Sequence, residues 1–428
     1  MANLIKKDIQ KIFNYYEPAL PKSLSRINKL LKLLGKPHFR LEKIIHIAGT
    51  NGKGSVLTFL KSCLFHNNLT VNALISPHLL RINERIVIKN NFVKDKTLID
   101  ALNRCDNQLN RNEITFFEVI TACGFDLFSQ FPADWNILEV GLGGLYDSTN
   151  VIPKKNVAVI TPISFDHENY LGEDILSIAK EKFGIVNKAT PVVIGKQKKE
   201  IVEYISKNKI FKKNKIFMYD KHWVVKESQG KFFYEDEKDS IEIRAPHMIG
   251  SHQIMNAGLS IATLRFLKKN NDLRIEDQII KKGIMNAKLL GRLEILKGRI
   301  SKKLNNSEIW IDGCHNPSGA NAIAKTMKSI NRKDTKKMIL IFGLAHEKKI
   351  KEFMEPFKGM FDATIYVPLQ NRKYVRPEEI IKNGKELELD IIFEPSLQEG
   401  LNSIDKSQDL RVLICGSLSL VAEAKKIN

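Results

Sequence analysis

The sequence predicts an α/β protein in two parts. The first is a larger, mainly parallel-sheet domain of phosphate-loop type with appended β-hairpins; the second is a smaller, C-terminal Rossmann-like α/β domain. Three observations predict this. Short, near-continuous apolar runs alternate with helical spacings through the first half, as in a sheet buried on both faces. A stretch near residues 209–245 switches to strict alternation. A second apolar series begins beyond Gly291-Arg292.

The elements follow in chain order. KIIHIAG (43–49) is a β-rich run that ends in glycine. Val56, Leu57, Leu60 and Leu64 then lie at helical spacing between Ser55 and Asn67. TVNALIS (70–76), WNILEVG (135–141) and NVAVITPIS (156–164) are the next strands. KIFMYD, HWVVKES, KFFYEDE and SIEIRAP read as antiparallel hairpins, with a turn at Gln229-Gly230. A helix from about His252 (MNAGLSIATLRFL) restores the α/β pattern. EIWIDG, KMILIFG, ATIYVP, DIIFEP and RVLICG then supply five strands of the second domain. The expected division is 1–293 and 294–428.

Composition narrows the function class. Hydrophobic residues make up 43% of 428, enough for real cores and too many for a disordered chain. No apolar run is long enough to span a bilayer, and MANLIKKDIQKIF lacks the apolar stretch of a secretory signal, so a cytoplasmic protein without membrane association is expected. Cys63, Cys105, Cys123, Cys314 and Cys415 are odd in number and widely spaced, against a disulfide framework or zinc site. The net charge of +20 comes from dispersed lysines, including Lys212-Lys213 and Lys336-Lys337, without an arginine-rich arm or aromatic-interleaved strip. Nucleic acid is therefore not the expected partner.

The sharpest local signal is Gly49-Thr50-Asn51-Gly52-Lys53-Gly54-Ser55, between a strand and a helix. Small residues let backbone N–H groups curl around phosphate oxygens, the helix N-terminus adds positive potential, and Lys53 adds a full charge. The standard phosphate loop places Ser or Thr directly after the lysine to hold Mg²⁺. Here Gly54 stands there, so either Ser55 substitutes or a metal ligand comes from elsewhere.

GTNGKGS resembles the ATP loop of the Mur-ligase superfamily, in its folylpolyglutamate synthase/dihydrofolate synthase branch. Further motifs of that branch follow in order: Ser76-Pro77-His78-Leu79 with Asn83-Glu84-Arg85-Ile86, Thr115-Phe116-Phe117-Glu118, and Leu138-Glu139-Val140-Gly141-Leu142-Gly143-Gly144. Then come Asp147-Ser148-Thr149-Asn150, Asp166-His167 with Leu171-Gly172, and Ile178-Ala179-Lys180-Glu181-Lys182. Gly291-Arg292, Asp312-Gly313-Cys314-His315-Asn316-Pro317 and Cys415-Gly416-Ser417 complete the series. There are two departures from the pattern: Leu145-Tyr146 replaces Arg-Leu in the expected pterin loop, and Cys314 replaces an alanine.

The resemblance implies an acid–amino-acid ligase of folate biosynthesis. A pterin or folate carboxylate attacks the γ-phosphoryl group of ATP, and L-glutamate displaces phosphate from the resulting acyl phosphate. It implies both dihydrofolate synthase and folylpolyglutamate synthase activity, with dihydropteroate or a reduced folate as acid substrate, and a monomeric enzyme. ATP contacts fall on Thr50, Asn51, Gly52, Lys53, Gly54, Ser55, Asn256, Arg292 and Asp312. Mg²⁺, two ions per site, is expected on Ser76, Glu139 and His167; Glu139 ends an apolar strand, where an unpaired buried carboxylate would be costly. Lys53, Lys182 and His315 are the expected catalytic residues, Lys182 as a carbamate and His315 beside the glutamate site. Pterin contacts fall on Thr115, Phe116, Phe117, Glu118, Tyr146, Asp147 and Ser148.

Other readings compete. A peptidoglycan Mur ligase would carry a nucleotide-sugar domain ahead of the loop, and 48 residues before Gly49 are too few for it. A folylpolyglutamate synthase lacking the dihydrofolate synthase activity is the nearest alternative. A P-loop NTPase of another class would show Ser or Thr after Lys53, and a dinucleotide-binding oxidoreductase would not have Tyr146 at the last glycine of its fingerprint.

Overall fold

The computed structural model describes residues 23–428 except 107, 109–113, 188–189, 209–210, 212, 229, 347, 371–372 and 406–408. Of the features singled out above, the N-terminal MANLIKKDIQKIF, Lys212 and Gln229 lie outside the described residues.

The chain divides into two compact units. The first takes the chain up to Ser164, with Glu168–Pro246 and Ile254–Ala287; the second takes Phe165–His167, His247–Gln253 and Lys288–Asn428.

The first unit is built on an eight-stranded sheet. Its strands are β1 (Ile44–Ala48), β2 (Val71–Leu74), β3 (Ile86–Ile88), β4 (Asn91–Phe92), β5 (Trp135–Glu139), β6 (Val157–Ile160), β7 (Val192–Ile194) and β8 (Ile216–Met218). They lie in the order β4-β3-β2-β5-β1-β6-β7-β8. From β2 to β8 every neighbouring pair is parallel, whereas β3 and β4 form an antiparallel edge. β1 is buried along its whole length, as a central parallel strand covered on both faces must be. The register pairs Ile47 with Glu139, so the carboxylate stands at the carboxyl end of a strand directly beside the phosphate loop's own strand.

A separate three-stranded antiparallel sheet follows: β9 (Trp223–Ser228), β10 (Lys231–Asp236) and β11 (Ser240–Arg244). Here the sequence expectation needs one correction. KIFMYD does not join these hairpins; its Ile216–Met218 extends the large sheet in parallel with β7. Three paired residues are too few for period-two alternation to reveal which sheet a strand joins. The turn after β9 has Gly230 at φ 69°, the left-handed conformation glycine tolerates.

The second unit holds β12 (Glu294–Ile295), β13 (Glu308–Ile311), β14 (Lys337–Phe342), β15 (Ala363–Tyr366), β16 (Ile391–Phe393) and β17 (Leu410–Cys415). Their order is β12-β13-β17-β14-β15-β16, parallel except at β12. The expected five strands are all present, and β12 is an added antiparallel edge. β16 forms the opposite edge and leaves Ile392 49% and Phe393 39% exposed. Inside this unit Arg411, 1% exposed on β17, is satisfied by Glu308, Asn331 and the Asp334 carbonyl. Burial of a guanidinium is tolerable only with such a shell of acceptors.

Candidate functional site

In the first unit the phosphate loop joins β1 to the helix Lys53–His66. Gly52 caps that helix at φ 90°, and a Cβ there would stand 2.4 Å from Asn256 Oδ1. Only glycine permits both the left-handed backbone and the close approach of Asn256. Thr50 fixes the other side of the loop: its N–H donates to Pro162 O, its hydroxyl donates to Ser164 O, and Ser164 N donates back to the hydroxyl. Lys53 Nζ donates to Gly49 O and Thr50 O, both at 3.1 Å, folding the ammonium back across the loop. Thr50, Asn51, Gly52, Lys53, Gly54, Ser55 and Asn256 therefore belong to one small region.

Glu139 is 3% exposed and accepts Ser76 N–H at 2.9 Å. Arg85 faces the same carboxylate, donates through Nε to His78 Nδ1 at 2.8 Å, and lies over the Phe116 ring at 5.3 Å. Burial pulls the Arg85 guanidinium down to about 10, against the upward pull of Glu139 and Glu84. Glu84 accepts the N–H groups of Leu79, Leu80 and Arg81, which shapes the Ser76–Leu79 loop. The two halves of that sequence motif are thus held by one carboxylate.

Thr115 and Glu118 form a reciprocal helix cap for Phe116–Gln130: Thr115 N and Oγ1 both donate to Glu118 Oε2 at 2.8 Å, and Glu118 N donates to Thr115 Oγ1. Arg26 pairs with the same buried carboxylate at 3.2 Å. Phe117 occupies the space a side chain at Gly141 would need, its ring 2.6 Å from that Cβ position. Tyr146 is exposed, and Ser148 is buried with its hydroxyl 2.8 Å from Thr121 Oγ1.

Asp147 is buried with both oxygens engaged. Oδ2 accepts Gly141 N and Leu142 N at 2.9 and 3.0 Å; Oδ1 accepts Thr149 N at 2.9 Å and Thr149 Oγ1 at 2.5 Å. Burial pushes its carboxyl up, and these hydrogen bonds, the Thr149 hydroxyl foremost, pull it back. Asn150 donates to Leu145 O and Gly184 O, while Leu145 N donates to Glu181 O. Gly144 lies so close to the Ile175–Phe183 helix that a Cβ would sit 2.6 Å from Glu181 O. The glycine loop, the Asp147–Asn150 turn and the Lys182 helix are thus tied together by the Asp147 carboxylate, the Asn150 amide and one backbone hydrogen bond. Lys182 itself is 4% exposed, far from an ordinary solvated lysine.

The second unit carries a compact charged cluster. Asp166 Oδ1 receives Lys348 Nζ at 2.5 Å and His167 N at 3.0 Å; Oδ2 receives His315 Nε2 at 3.2 Å and Asn316 Nδ2 at 2.9 Å. Burial alone would raise the Asp166 carboxyl. The hydrogen bond and charge of His315, with the charges of His167 and Lys348, outweigh burial and hold it well below the usual carboxylate range. Donor atoms of Asp166, His167 and His315 lie within 4.8 Å of one another, the spacing of metal ligands. As placed, however, Asp166 takes its positive charge from Lys348, so this trio does not fit a cation unless the ammonium moves. His167 adopts a left-handed φ of 55°.

Asp312 holds the other second-unit motifs together. It accepts Leu293 N and Cys314 N, both at 2.7 Å, while Gly313 N donates to Gly291 O. Arg292 lies against Gly313, its Nη1 3.4 Å from where a Cβ would stand.

Asp166, Asn316, Lys348 and Arg85 were not among the expected site residues. Lys348 follows β14 at its carboxyl end, where ligands of open α/β sheets collect, and that placement was the available signal. Asp166 and Asn316 stand inside sequence motifs whose expected site residues are His167, Asp312 and His315.

Comparison with known proteins agrees with this architecture. Residues 47–264 match the Mur ligase middle domain, and residues 291–418 match the Mur ligase glutamate ligase domain. A dihydrofolate synthase/folylpolyglutamate synthase of Bacillus subtilis is 30% identical over 423 residues, spanning 94% of this chain and 94% of its own. A folylpolyglutamate synthase of Lacticaseibacillus casei is 30% identical over 413 residues, spanning 94% and 93%. The solved Mycobacterium tuberculosis folylpolyglutamate synthase complexed with ADP superposes with a TM-score of 0.87 at 25% identity, over 99% of this chain and 98% of that one. This chain belongs to the folylpolyglutamate synthase/dihydrofolate synthase family of Mur ligases.

Proposed function

We propose that this chain is an ATP-dependent ligase that forms an amide between a pterin or folate carboxylate and L-glutamate, acting as both dihydrofolate synthase and folylpolyglutamate synthase. The observation that carries the reading is that Lys53 sits in the helix-opening glycine loop that follows β1, while the adjacent parallel strand ends in the buried carboxylate Glu139. That combination serves a polyphosphate and its counter-ion, and a plain core has no use for it.

The acid carboxylate attacks the γ-phosphorus; an O–P bond forms, the bond to the β-phosphate oxygen breaks, and ADP leaves. The glutamate amine, having lost a proton, attacks the acyl carbon, and phosphate departs from the tetrahedral intermediate as the amide forms. The protein's work is positioning and charge stabilisation. Lys53 supplies positive charge to the transferring group, and Thr50, Asn51, Gly52, Gly54 and Ser55 present the loop. Asn256, Arg292 and Asp312 serve the nucleotide, Asp312 by fixing the backbone around Arg292.

Ser76, Glu139 and His167 have the donor chemistry for two Mg²⁺ ions, which when bound would neutralise charge on the phosphate oxygens. A carbamate on Lys182 would convert a buried ammonium into an anion suited to the same field, and the near-complete burial of Lys182 supports that reading. His315 positions glutamate; both its ring nitrogens face acceptors, Asp166 Oδ2 and Gly313 O. Phe116, Phe117, Tyr146 and Ser148, with Thr115, Glu118 and Asp147 shaping the backbone around them, serve the pterin. The functional division runs near 293/294, and the working form is a cytoplasmic monomer without nucleic-acid or membrane partners. No helix among the described residues is long and apolar enough to cross a membrane.

ADP release with glutamate and either dihydropteroate or tetrahydrofolate tests the assignment. Both acids should stimulate turnover. Stimulation by tetrahydrofolate alone would favour the monofunctional reading, which the likeness to the Lacticaseibacillus casei folylpolyglutamate synthase supports. Stimulation by neither would overturn the assignment. Within it, Glu139→Gln should raise the Mg²⁺ requirement about 10- to 100-fold; an unchanged Mg²⁺ titration would remove Glu139 from the ligands.

A further inference from the structure

His46 is a polar residue in the fully buried centre of the first unit's sheet, three residues before the phosphate loop. Its strand neighbours are Leu138 on one side and Ala158 on the other. An aliphatic side chain would suit such a position better, since burying an imidazole without full hydrogen bonding is costly. Its Nδ1 is buried without a hydrogen-bond partner, while Nε2 lies 2.8 Å from Thr149 Oγ1.

The direction of that bond follows from the next one. Asp147 Oδ1 accepts Thr149 Oγ1 at 2.5 Å, and its carboxylate already accepts three backbone N–H groups. A threonine hydroxyl has one proton, and Asp147 takes it. Thr149 Oγ1 must then accept from His46, which fixes the neutral Nε2–H tautomer. Burial, with the nearby charge of Lys155, holds the imidazole well below its usual range and agrees with that form. The chain therefore runs one way: His46 Nε2–H to Thr149 Oγ1–H to Asp147 Oδ1, whose other oxygen holds Gly141 N and Leu142 N.

Gly141 and Leu142 begin the loop immediately after Glu139 and Val140. The same loop rests on Phe117 at Gly141 and on the backbone of Glu181 and Lys182 at Gly144. A shift of Asp147 would move this loop against both.

We infer that His46 and Thr149 are positioning residues for the acid substrate: a buried hydrogen-bond relay that sets Asp147, and through it the Gly141–Gly144 loop. This rests on the ligase reading above, with the Phe117 side of the loop serving the pterin or folate acid. A histidine of purely structural use would affect folding and all substrates alike. The relay ends on the Gly141–Gly144 loop, so its loss is expected to fall first on the acid that the Phe117 side serves.

The test is steady-state turnover of the full chain, with separate titrations of dihydropteroate and ATP at saturating glutamate. Thr149→Val keeps the shape and removes the hydroxyl. It should raise the KM for dihydropteroate about tenfold or more, as loss of a supporting partner does, and leave the KM for ATP within about twofold. Thr149→Ser restores the hydroxyl and should return the acid KM to within about threefold of the parent. His46→Leu should repeat the Thr149→Val effect, and the double variant should be no worse than either single one, since both break the same chain. If Thr149→Val does not fold, His46→Leu carries the comparison, because it removes the first bond of the relay. Equal changes in both KM values, an unchanged acid KM, failure of serine to rescue, or additive losses would each overturn the relay. A parent chain with no turnover on either acid would overturn the ligase reading first and the relay with it.

Discussion

Asp166→Asn is the most exacting perturbation of the second unit. The aspartate is about nine-tenths buried and receives Lys348, His315, Asn316 and its own neighbour's N–H. Asparagine keeps the shape but loses the charge, and its amide must turn a donor toward at least one of these donors. Removing one partner of a buried ion pair costs about 3–5 kcal/mol, because the other charge stays behind unpaired. At the lower bound of about 3 kcal/mol the second unit's melting temperature should fall by roughly 6–12 °C. Thermal and urea unfolding followed by Trp310 fluorescence measure the two losses, in a background where Trp135 and Trp223, both in the first unit, are phenylalanine. The variant Lys348→Met supplies the second arm of a double-mutant cycle, with an expected coupling of about 1–2 kcal/mol. The pH dependence has a fixed sign. The folded Asp166 value lies below the unfolded one, so its contribution is complete above about pH 4 and is lost as pH falls further. The gap between parent and variant should therefore close in acid. A loss under about 0.5 kcal/mol at neutral pH, or strictly additive losses in the cycle, would refute the idea that Asp166 organises this cluster.

Three other outcomes are expected. Lys53→Ala should remove almost all ADP release while circular dichroism stays unchanged, a loss of about 10²–10³ or more from missing charge at the phosphoryl group; near-parent turnover would detach Lys53 from the chemistry. Lys182→Ala should be nearly inactive and partly restored by small carboxylic acids, with Lys182→Arg no better; substantial activity in the arginine variant would end the carbamate reading. Burial lowers the Lys155 ammonium to about 8, so the unfolded chain binds this proton more strongly between about pH 8 and 10.4, and stability from this group rises with pH across that window. Relative to Lys155→Met, the parent should gain about 3 kcal/mol across that interval in urea titrations; a constant difference would show that Lys155 is not perturbed.

Much of the fold was legible because buried parallel strands advertise themselves: Ile44–Ala48 and Leu410–Cys415 are apolar at nearly every position. β4 and β12 escaped because a two-residue pairing carries no periodicity, and β8 escaped assignment because its three residues fit either sheet. The phosphate loop was legible because glycine and lysine in that arrangement have few other uses. Asp166 was harder. What makes it central is an amine from residue 348 and an imidazole from residue 315, separations at which no local pattern reports contact. Asp147 and Asp312 show the converse. Their motifs stood out in the sequence, and the structure adds that each spends its oxygens on backbone N–H groups around the site.

The edge strand β16, unpaired on its outer side among the described residues, bears on how the protein behaves at high concentration. A strand edge showing Ile392 and Phe393 invites a second chain to pair with it and start ordered aggregation. Two features oppose this. The strand is three residues long, too short a template for a stable added strand, and Asp390 and Glu394 flank it. A second copy docking edge to edge would bring these carboxylates toward their own counterparts, an opposition of like charges. In a chain of net charge +20, this small acidic pair adds to the shortness of the strand in opposing growth of the sheet. Engineering that adds positive charge or apolar bulk for other ends should leave those two positions alone.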